Sequence, residues 1–255
     1  MAHDAELVEI LETIYDSQNP TRRWLHRSRR DWIIDTVRSL DAVGRALEVG
    51  PGSGIYLPTL AEVAQEVVAA DIDSACLSKA RELQGRLDNL RCVDDDVTKS
   101  RLEPGSFDLI LCSEVIEHIA DSPAALRGMH GLASSEGVLV LSTPQRYSPL
   151  EICCKVAFLP GVIQLVRWIY GEAVFETGHI NLLTESRLKQ QLATAGFDIV
   201  TEHKSGFYLP LVAEFGGRAG QRFLGYLEAT LRHGKLSGLL WTQYYVLRKH
   251  ETEPS

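Results

Sequence analysis

The segment Ala46-Leu-Glu48-Val-Gly50-Pro-Gly52-Ser-Gly54 constrains this chain more than any other stretch. An apolar run with one acidic residue meets three glycines at alternate positions, and a helical pattern resumes at about Tyr56. Glycine permits a tight turn and lets backbone N–H groups approach a ligand closely, so the pattern reads as a strand, a ligand-binding loop and a helix. A dinucleotide fingerprint needs G-x-G-x-x-G, but position 55 is Ile and the third glycine arrives one residue early. That spacing disfavours a dehydrogenase.

From residue 45 to 144 the same theme recurs: a short apolar run, then Gly, Asp or Pro, then a helical stretch. This is the pattern of βα units in a parallel sheet. Strands are expected at Ala46–Gly50, Val67–Ile72, Leu90–Asp95, Phe107–Ser113 and Gly137–Thr143, with two more at Phe197–His203 and Trp241–Arg248. A helix is expected over Ser74–Leu87, and a capped one runs from Thr184 to Gly196. No internal repeat and no Gly/Ser-rich linker divides the chain, so residues 1–255 are expected to form a single domain. Two parts lie outside the βα core, a helical extension over 1–44 and an insertion over 145–180.

A second acidic site follows the loop in Val67-Val-Ala-Ala-Asp71-Ile-Asp73, where a carboxylate closing a strand can accept both hydroxyls of a ribose. Asp73 is the competing candidate and also suits a helix cap. In Val93-Asp-Asp-Asp96-Val97, Asp96 can take a hydrogen bond from an adenine amino group while Val97 packs on the ring. The ordered set of E-x-G-x-G-x-G, Asp71 and Asp96, placed before Gly105-Ser-Phe-Asp108-Leu-Ile, resembles the class I S-adenosylmethionine-dependent methyltransferases over roughly residues 40 to 200. It is similar to the ubiquinone-biosynthesis O-methyltransferases in particular. The resemblance implies an α/β, Rossmann-like fold: a seven-stranded, mostly parallel sheet with an antiparallel last strand, helices on both faces, N-terminal helices and an inserted apolar helical lid. It also implies S-adenosyl-L-methionine as cofactor. Glu48, Gly50, Gly52 and Gly54 would hold the methionine moiety, Asp71 the ribose, and Asp96 with Val97 the adenine. Ser113 and Glu114 would floor the methionine side.

Cys112-Ser-Glu114-Val-Ile-Glu117-His118 puts Glu114, Glu117 and His118 at i, i+3 and i+4, which share one face if the segment is helical. Carboxylate plus imidazole suits a hard or borderline divalent cation. E-x-x-E-H resembles both the ubiquinone O-methyltransferases and the small-RNA 3′-terminal 2′-O-methyltransferases. In the RNA family a downstream histidine completes a magnesium site, and His179 stands in the corresponding place. The expected metal set is therefore Glu114, Glu117, His118 and His179, with Mg2+ as the ion. The alternative is that Glu117 and His118 stabilise a turn, and then His118 or His179 serves as catalytic base.

The substrate side is argued from the flanking segments. Tyr147 to Tyr170 is apolar but interrupted by Lys155, Pro160-Gly161, Gln164 and Arg167, too often for a membrane span of about 20 residues. It reads as a lid, an interfacial element with Trp168 and Tyr170 at headgroup level, or a buried helix pair. Five arginines fall between Arg22 and Arg30 in a chain of net charge −8. They suit an anionic membrane surface, a phosphate-bearing substrate or a solvated, salt-bridged face. The acidic balance argues against nucleic acid as partner. The five cysteines are odd in number, lack CxxC spacing and read as reduced thiols. The acidic N-terminus lacks a signal-peptide pattern, so the expected location is cytoplasmic, at most peripheral at the inner face of a membrane. The leading expectation is methylation of a hydroxyl on a small lipophilic acceptor. The rivals are an RNA 2′-O-methyltransferase and a catalytically silent cofactor-binding partner subunit.

Overall fold

The computed structural model describes residues 14–41, 43–159, 161, 163–164 and 178–250. Its centre is one seven-stranded sheet built from β1 (Val43–Val49), β2 (Ala64–Asp71), β3 (Leu90–Asp94), β4 (Phe107–Ser113), β5 (Ala133–Pro144), β6 (Phe197–Ser205) and β7 (Thr242–Lys249). The strand order is 3-2-1-4-5-7-6. The first five pair in parallel, while β7 runs antiparallel to both β5 and β6.

Strands β1, β2, β4 and β5 carry apolar runs because both their faces are covered, whereas the edge strand β3 is mostly half-buried or exposed. Leu47, Val49, Ile110, Cys112, Leu139 and Leu141 face one core, packed by α4 (Ser122–Leu132) and α6 (Glu185–Thr194). Ala46, Val67, Ala69, Leu109, Leu111 and Val140 face the other, packed by α1 (Pro20–Arg38), α2 (Leu57–Val63) and α3 (Ser74–Gln84). Helix α1 starts where Asn19 Oδ1 accepts the Thr21 and Arg22 N–H groups at 2.8 and 3.1 Å, satisfying amides that have no partner within the helix.

A third, smaller core sits apart from the sheet. It joins Leu25 of α1, Leu150 of α5 (Pro149–Ala157), Ala213 of α7 (Pro210–Phe215), Leu224 of α8 (Gly217–Leu231), and Phe207, Tyr208 and Trp241. These elements form a helical cap tied to the sheet through Trp241, whose backbone N–H donates to Gly206 and whose carbonyl accepts from Gln145.

Helix α3 is three residues shorter than its expected span, ending at Gln84. The expected N-terminal pair of helices is represented by α1 and a short turn at Ile14–Asp16, and residues 1–13 lie outside the described residues. Of the inserted segment, α5 is described, whereas Trp168 and Tyr170 lie outside the described residues. Four cysteines, Cys92, Cys112, Cys153 and Cys154, are free thiols.

Candidate active site

Parallel pairing brings the carboxyl ends of β1, β2, β3 and β4 to one edge, with Glu48 level with Ala69 and Leu111, and Asp71 level with Asp94. Open α/β sheets bind their ligands at this edge. Gly50, Gly52 and Gly54 all have positive φ, 69°, 52° and 73°. At Gly50 a Cβ would lie 2.5 Å from Val115 Cγ2, so backbone conformation and close packing both require glycine there.

Glu48 is 2% exposed, and its Oε2 has no hydrogen-bond partner. Burial, reinforced by the Asp71 charge, pushes its carboxyl up to about 8. A buried acceptor in this condition is poised for a cationic or N–H-bearing ligand group. Asp71 closes β2, and its Oδ1 accepts the Asp73 N–H at 2.7 Å. Burial raises this carboxyl to about 6. Asp73 precedes α3, and its carbonyl accepts the Leu77 N–H. Between the two acids Ile72 is 72% exposed, an apolar side chain on the surface at the ligand edge.

Asp96 caps the turn Val97–Lys99, with Oδ1 accepting from Thr98 N–H and Oγ at 2.9 and 2.7 Å. These bonds hold its carboxyl below the usual range. Val97 is buried and joins the core beneath α4, where its carbonyl leaves Gly128 no room for a side chain.

The end of β4 carries the rest of the site. Glu114 is the one described non-glycine residue with positive φ, at 56°, a backbone state that costs about 1–3 kcal/mol and concentrates at functional sites. The turn that follows is a 3-10 helix over Ile116–His118. Glu114 therefore does not share a helical face with Glu117 and His118, as their spacing had suggested, because the left-handed residue breaks the register. Its carboxylate instead accepts from Arg29 Nη1 at 2.6 Å and from Ser142 Oγ at 3.1 Å, and Ser142 bonds Ser113 Oγ at 3.0 Å. Arg29 comes from α1, is 6% exposed and lies 5.3 Å over the Trp241 ring. Burial is the largest influence and works against its charge, but Glu114 together with Tyr15, Tyr56 and Tyr244 outweighs it and holds the guanidinium ionised.

Glu117, His118 and His179 come together, each offering one ligand atom, all within 4.8 Å of one another. Glu117 is fully buried; Oε2 accepts from Thr143 Oγ1 at 2.9 Å and Oε1 has no partner. Burial, then the Glu114 charge, holds its carboxyl well above the usual range. Burial and the neighbouring His179 lower His118, so its ring is neutral at physiological pH. His179 Nδ1 lies 3.2 Å from Glu151 Oε2, and the other oxygen of Glu151 accepts from Trp241 Nε1 at 3.0 Å. A carboxylate on one imidazole nitrogen fixes the ring and leaves the second nitrogen for a ligand. Two imidazoles and a carboxylate fit a divalent ion, and the imidazole donors suit a borderline metal such as Zn2+ or Fe2+ better than Mg2+.

Arg29, Glu151 and Trp241 belong to no motif of the site. Only the sheet and the cap bring them to this edge. The Arg22–Arg30 cluster disperses over α1. Arg22 pairs with Glu214, Arg23 with the Ser17 carbonyl, Arg27 with Asp16, Arg29 with Glu114 and Arg30 with Asp31.

The methyltransferase domain family profile matches residues 21–202, well over half the chain. The chain belongs to that family, as a member of the class I, S-adenosylmethionine-dependent type. Its curated relatives include the ubiquinone biosynthesis O-methyltransferases of Xanthomonas campestris pv. campestris (strain B100), 33% identical over 139 residues, and of Bordetella bronchiseptica, 31% identical over 121. These alignments cover 52% and 46% of this chain and 56% and 49% of the relatives, so the chain spans about half the length of the curated relatives it matches. Among solved structures, the N-methyltransferase NodS from Bradyrhizobium japonicum in complex with S-adenosyl-L-homocysteine has a TM-score of 0.59 at 17% identity, covering 96% of this chain and 99% of that one. A methyltransferase from Aquifex aeolicus gives 0.58 at 14%, covering 95% and 97%. Both are likenesses of fold.

Proposed function

We propose that the protein transfers the methyl group of S-adenosyl-L-methionine to a hydroxyl of a small lipophilic acceptor. The observation that carries this reading is the Glu117, His118 and His179 cluster, set one turn beyond β4 and braced by Glu151, beside the glycine-loop edge. Bound cofactor supplies a sulfonium methyl for in-line displacement by the acceptor oxygen, a reaction that asks the protein mainly for positioning.

Glu48 accepts the ammonium of the methionine moiety, and the glycine loop admits its backbone. Asp71 accepts the ribose hydroxyls. Ile72 offers the purine an apolar cover, and Asp96, whose second oxygen lies 3.5 Å from Lys99 Nζ, accepts from the adenine amino group, while Val97 packs beneath it. Ser113 and Glu114 floor the methionine side, with Ser142 and Arg29 fixing the Glu114 carboxylate. Where no ion is bound, His118, kept neutral, accepts the hydroxyl proton as base, and Glu151 orients the His179 ring beside it. As the alternative to that base role, a divalent ion held by Glu117, His118 and His179 would bind the acceptor oxygen and lower its pKa. The acceptor is placed beside the cap, whose apolar core includes Leu25, Phe207 and Trp241.

The test is transfer of labelled methyl from S-adenosylmethionine into a source-cell extract by the purified protein, followed by phase partition. Label in the organic phase supports the proposal. Ribonuclease-sensitive label in the aqueous phase overturns it in favour of RNA, and no transfer at all points to a silent partner subunit.

A further inference from the structure

The outer side of the helical cap segregates its charge. In segments 147–159 and 206–240, the acidic side chains Glu151, Glu214 and Glu228 all turn inward. Glu151 bonds Trp241 and His179, Glu214 bonds Arg22 and Asn19, and Glu228 accepts the Gly206 N–H while pairing with Arg232. The ionisable groups left on the surface there are basic: Lys155, Arg218, Arg222, His233 and Lys235. Arg218, Arg222 and Lys235 form no ion pair among the described residues. This occurs in a chain whose net charge is −8.

The same helices expose large apolar residues. Helix α8 buries Gly220, Leu224 and Glu228 at intervals of four and presents Arg218, Arg222, Phe223 and Tyr226 on the opposite side. Phe223 and Tyr226 are 50% and 71% exposed, and Leu211 and Phe215 on α7 are 76% and 69% exposed. Leaving four such side chains in water is unfavourable, and exposed apolar groups clustered among basic residues mark an interaction surface. Ile152, Val156 and Leu159 of the α5 segment are about half exposed, with Lys155 among them.

We propose that α7 and α8 form a docking face for an anionic phospholipid bilayer. Phe215, Phe223, Tyr226 and Leu211 enter the interface and Arg218, Arg222 and Lys235 meet the headgroups. An amphipathic helix with aromatics on one side and arginines beside them lies in the plane of such an interface, and inward-turned carboxylates remove the repulsion an acidic protein would otherwise meet. This face is distinct from the Arg22–Arg30 stretch, whose arginines have partners within the chain. The proposal stands whichever acceptor the enzyme uses.

The test is cosedimentation of the full chain with vesicles of phosphatidylglycerol and phosphatidylcholine, compared with phosphatidylcholine alone, at low and high salt. Binding should require phosphatidylglycerol and fall with salt. Arg218→Gln with Arg222→Gln should lower the partition about twenty-fivefold, from roughly fivefold per arginine at an anionic surface. Phe223→Ser with Tyr226→Ser should abolish it. Retained binding of S-adenosyl-L-homocysteine by both variants shows that they fold, and the salt dependence of the unmodified chain tests the proposal without any variant. Absence of binding to anionic vesicles, equal binding to neutral ones, or unchanged partition of both variants would overturn it. So would self-association in sedimentation velocity that Tyr226→Ser removes while vesicle binding stays absent, which would assign the face to a second copy.

Discussion

A buried carboxyl with one oxygen unpaired makes a specific demand on its ligand. With its pKa pushed up to about 8, Glu48 is protonated at neutral pH in the free protein. Placing an ammonium beside it draws off that proton, so cofactor binding at pH 7 should release close to one proton. Calorimetric titration in two buffers of different ionisation enthalpy measures this, and Glu48→Gln should remove the buffer dependence. The same shift fixes a stability trend. A carboxyl that binds its proton more tightly folded than unfolded favours the fold fully below the unfolded value of about 4.5. That contribution is lost as pH rises toward and through 8. Thermal unfolding of the free protein from pH 5 to 8 should show a decline that Glu48→Gln flattens. At Gly50, alanine meets Val115 and a left-handed backbone. Gly50→Ala should cost about 1–2 kcal/mol from the backbone alone and weaken S-adenosyl-L-homocysteine binding at least tenfold, read by thermal denaturation and titration. Glu48, the glycines and Asp71 are legible in sequence because a strand end, a turn and a second strand end are local events. Arg29 and Glu151 are not, because each gains its meaning from partners far away in the chain.

Among elements, α1 is the one whose chemistry sequence patterning describes least. Five arginines so close together read as a charged face, but a helix turns successive residues about 100° apart. Each therefore meets a different neighbour: Arg22 the Glu214 of α7, Arg29 the Glu114 beyond β4. The Arg29–Glu114 pair is buried, so removing one partner strands the other. Arg29→Ala should cost about 3–5 kcal/mol in chemical denaturation, whereas Arg29→Met with Glu114→Gln should cost clearly less, because no uncompensated charge remains. A single loss equal to the double loss would refute the pairing. The turn after β4 carries a similar lesson. The spacing of Glu114, Glu117 and His118 suits a helix, yet positive φ at Glu114 hands it to Arg29 and leaves Glu117 and His118 to His179.

For the whole molecule, the strand pattern was legible throughout, since runs covered on both faces stand out from the polar turns between them. The antiparallel pairing of β7 came from resemblance; helical segments of the cap show in the pattern, but their closure on one another does not. Its core gathers Leu25, Leu150, Leu224 and Trp241 from widely separated segments. A ligand that binds only the folded state stabilises all of it by linkage, and S-adenosyl-L-homocysteine at 100 times its Kd should add about 2.7 kcal/mol. Thermal unfolding should show that gain, and NADH should give none.

The contact between Arg29 and Trp241 also sets an order of events. Helix α1 leaves the ribosome early, but the indole it rests on belongs to the segment before the last strand, and Glu114 lies 85 residues away. Until β7 inserts between β5 and β6, Leu25 and Arg29 have no complete surface to settle on. Long-range closures of this kind slow folding. A nascent chain truncated before Trp241 thus holds the glycine loop and the cap helices without the indole that ties them to the sheet, and Arg29 without the ring it rests on.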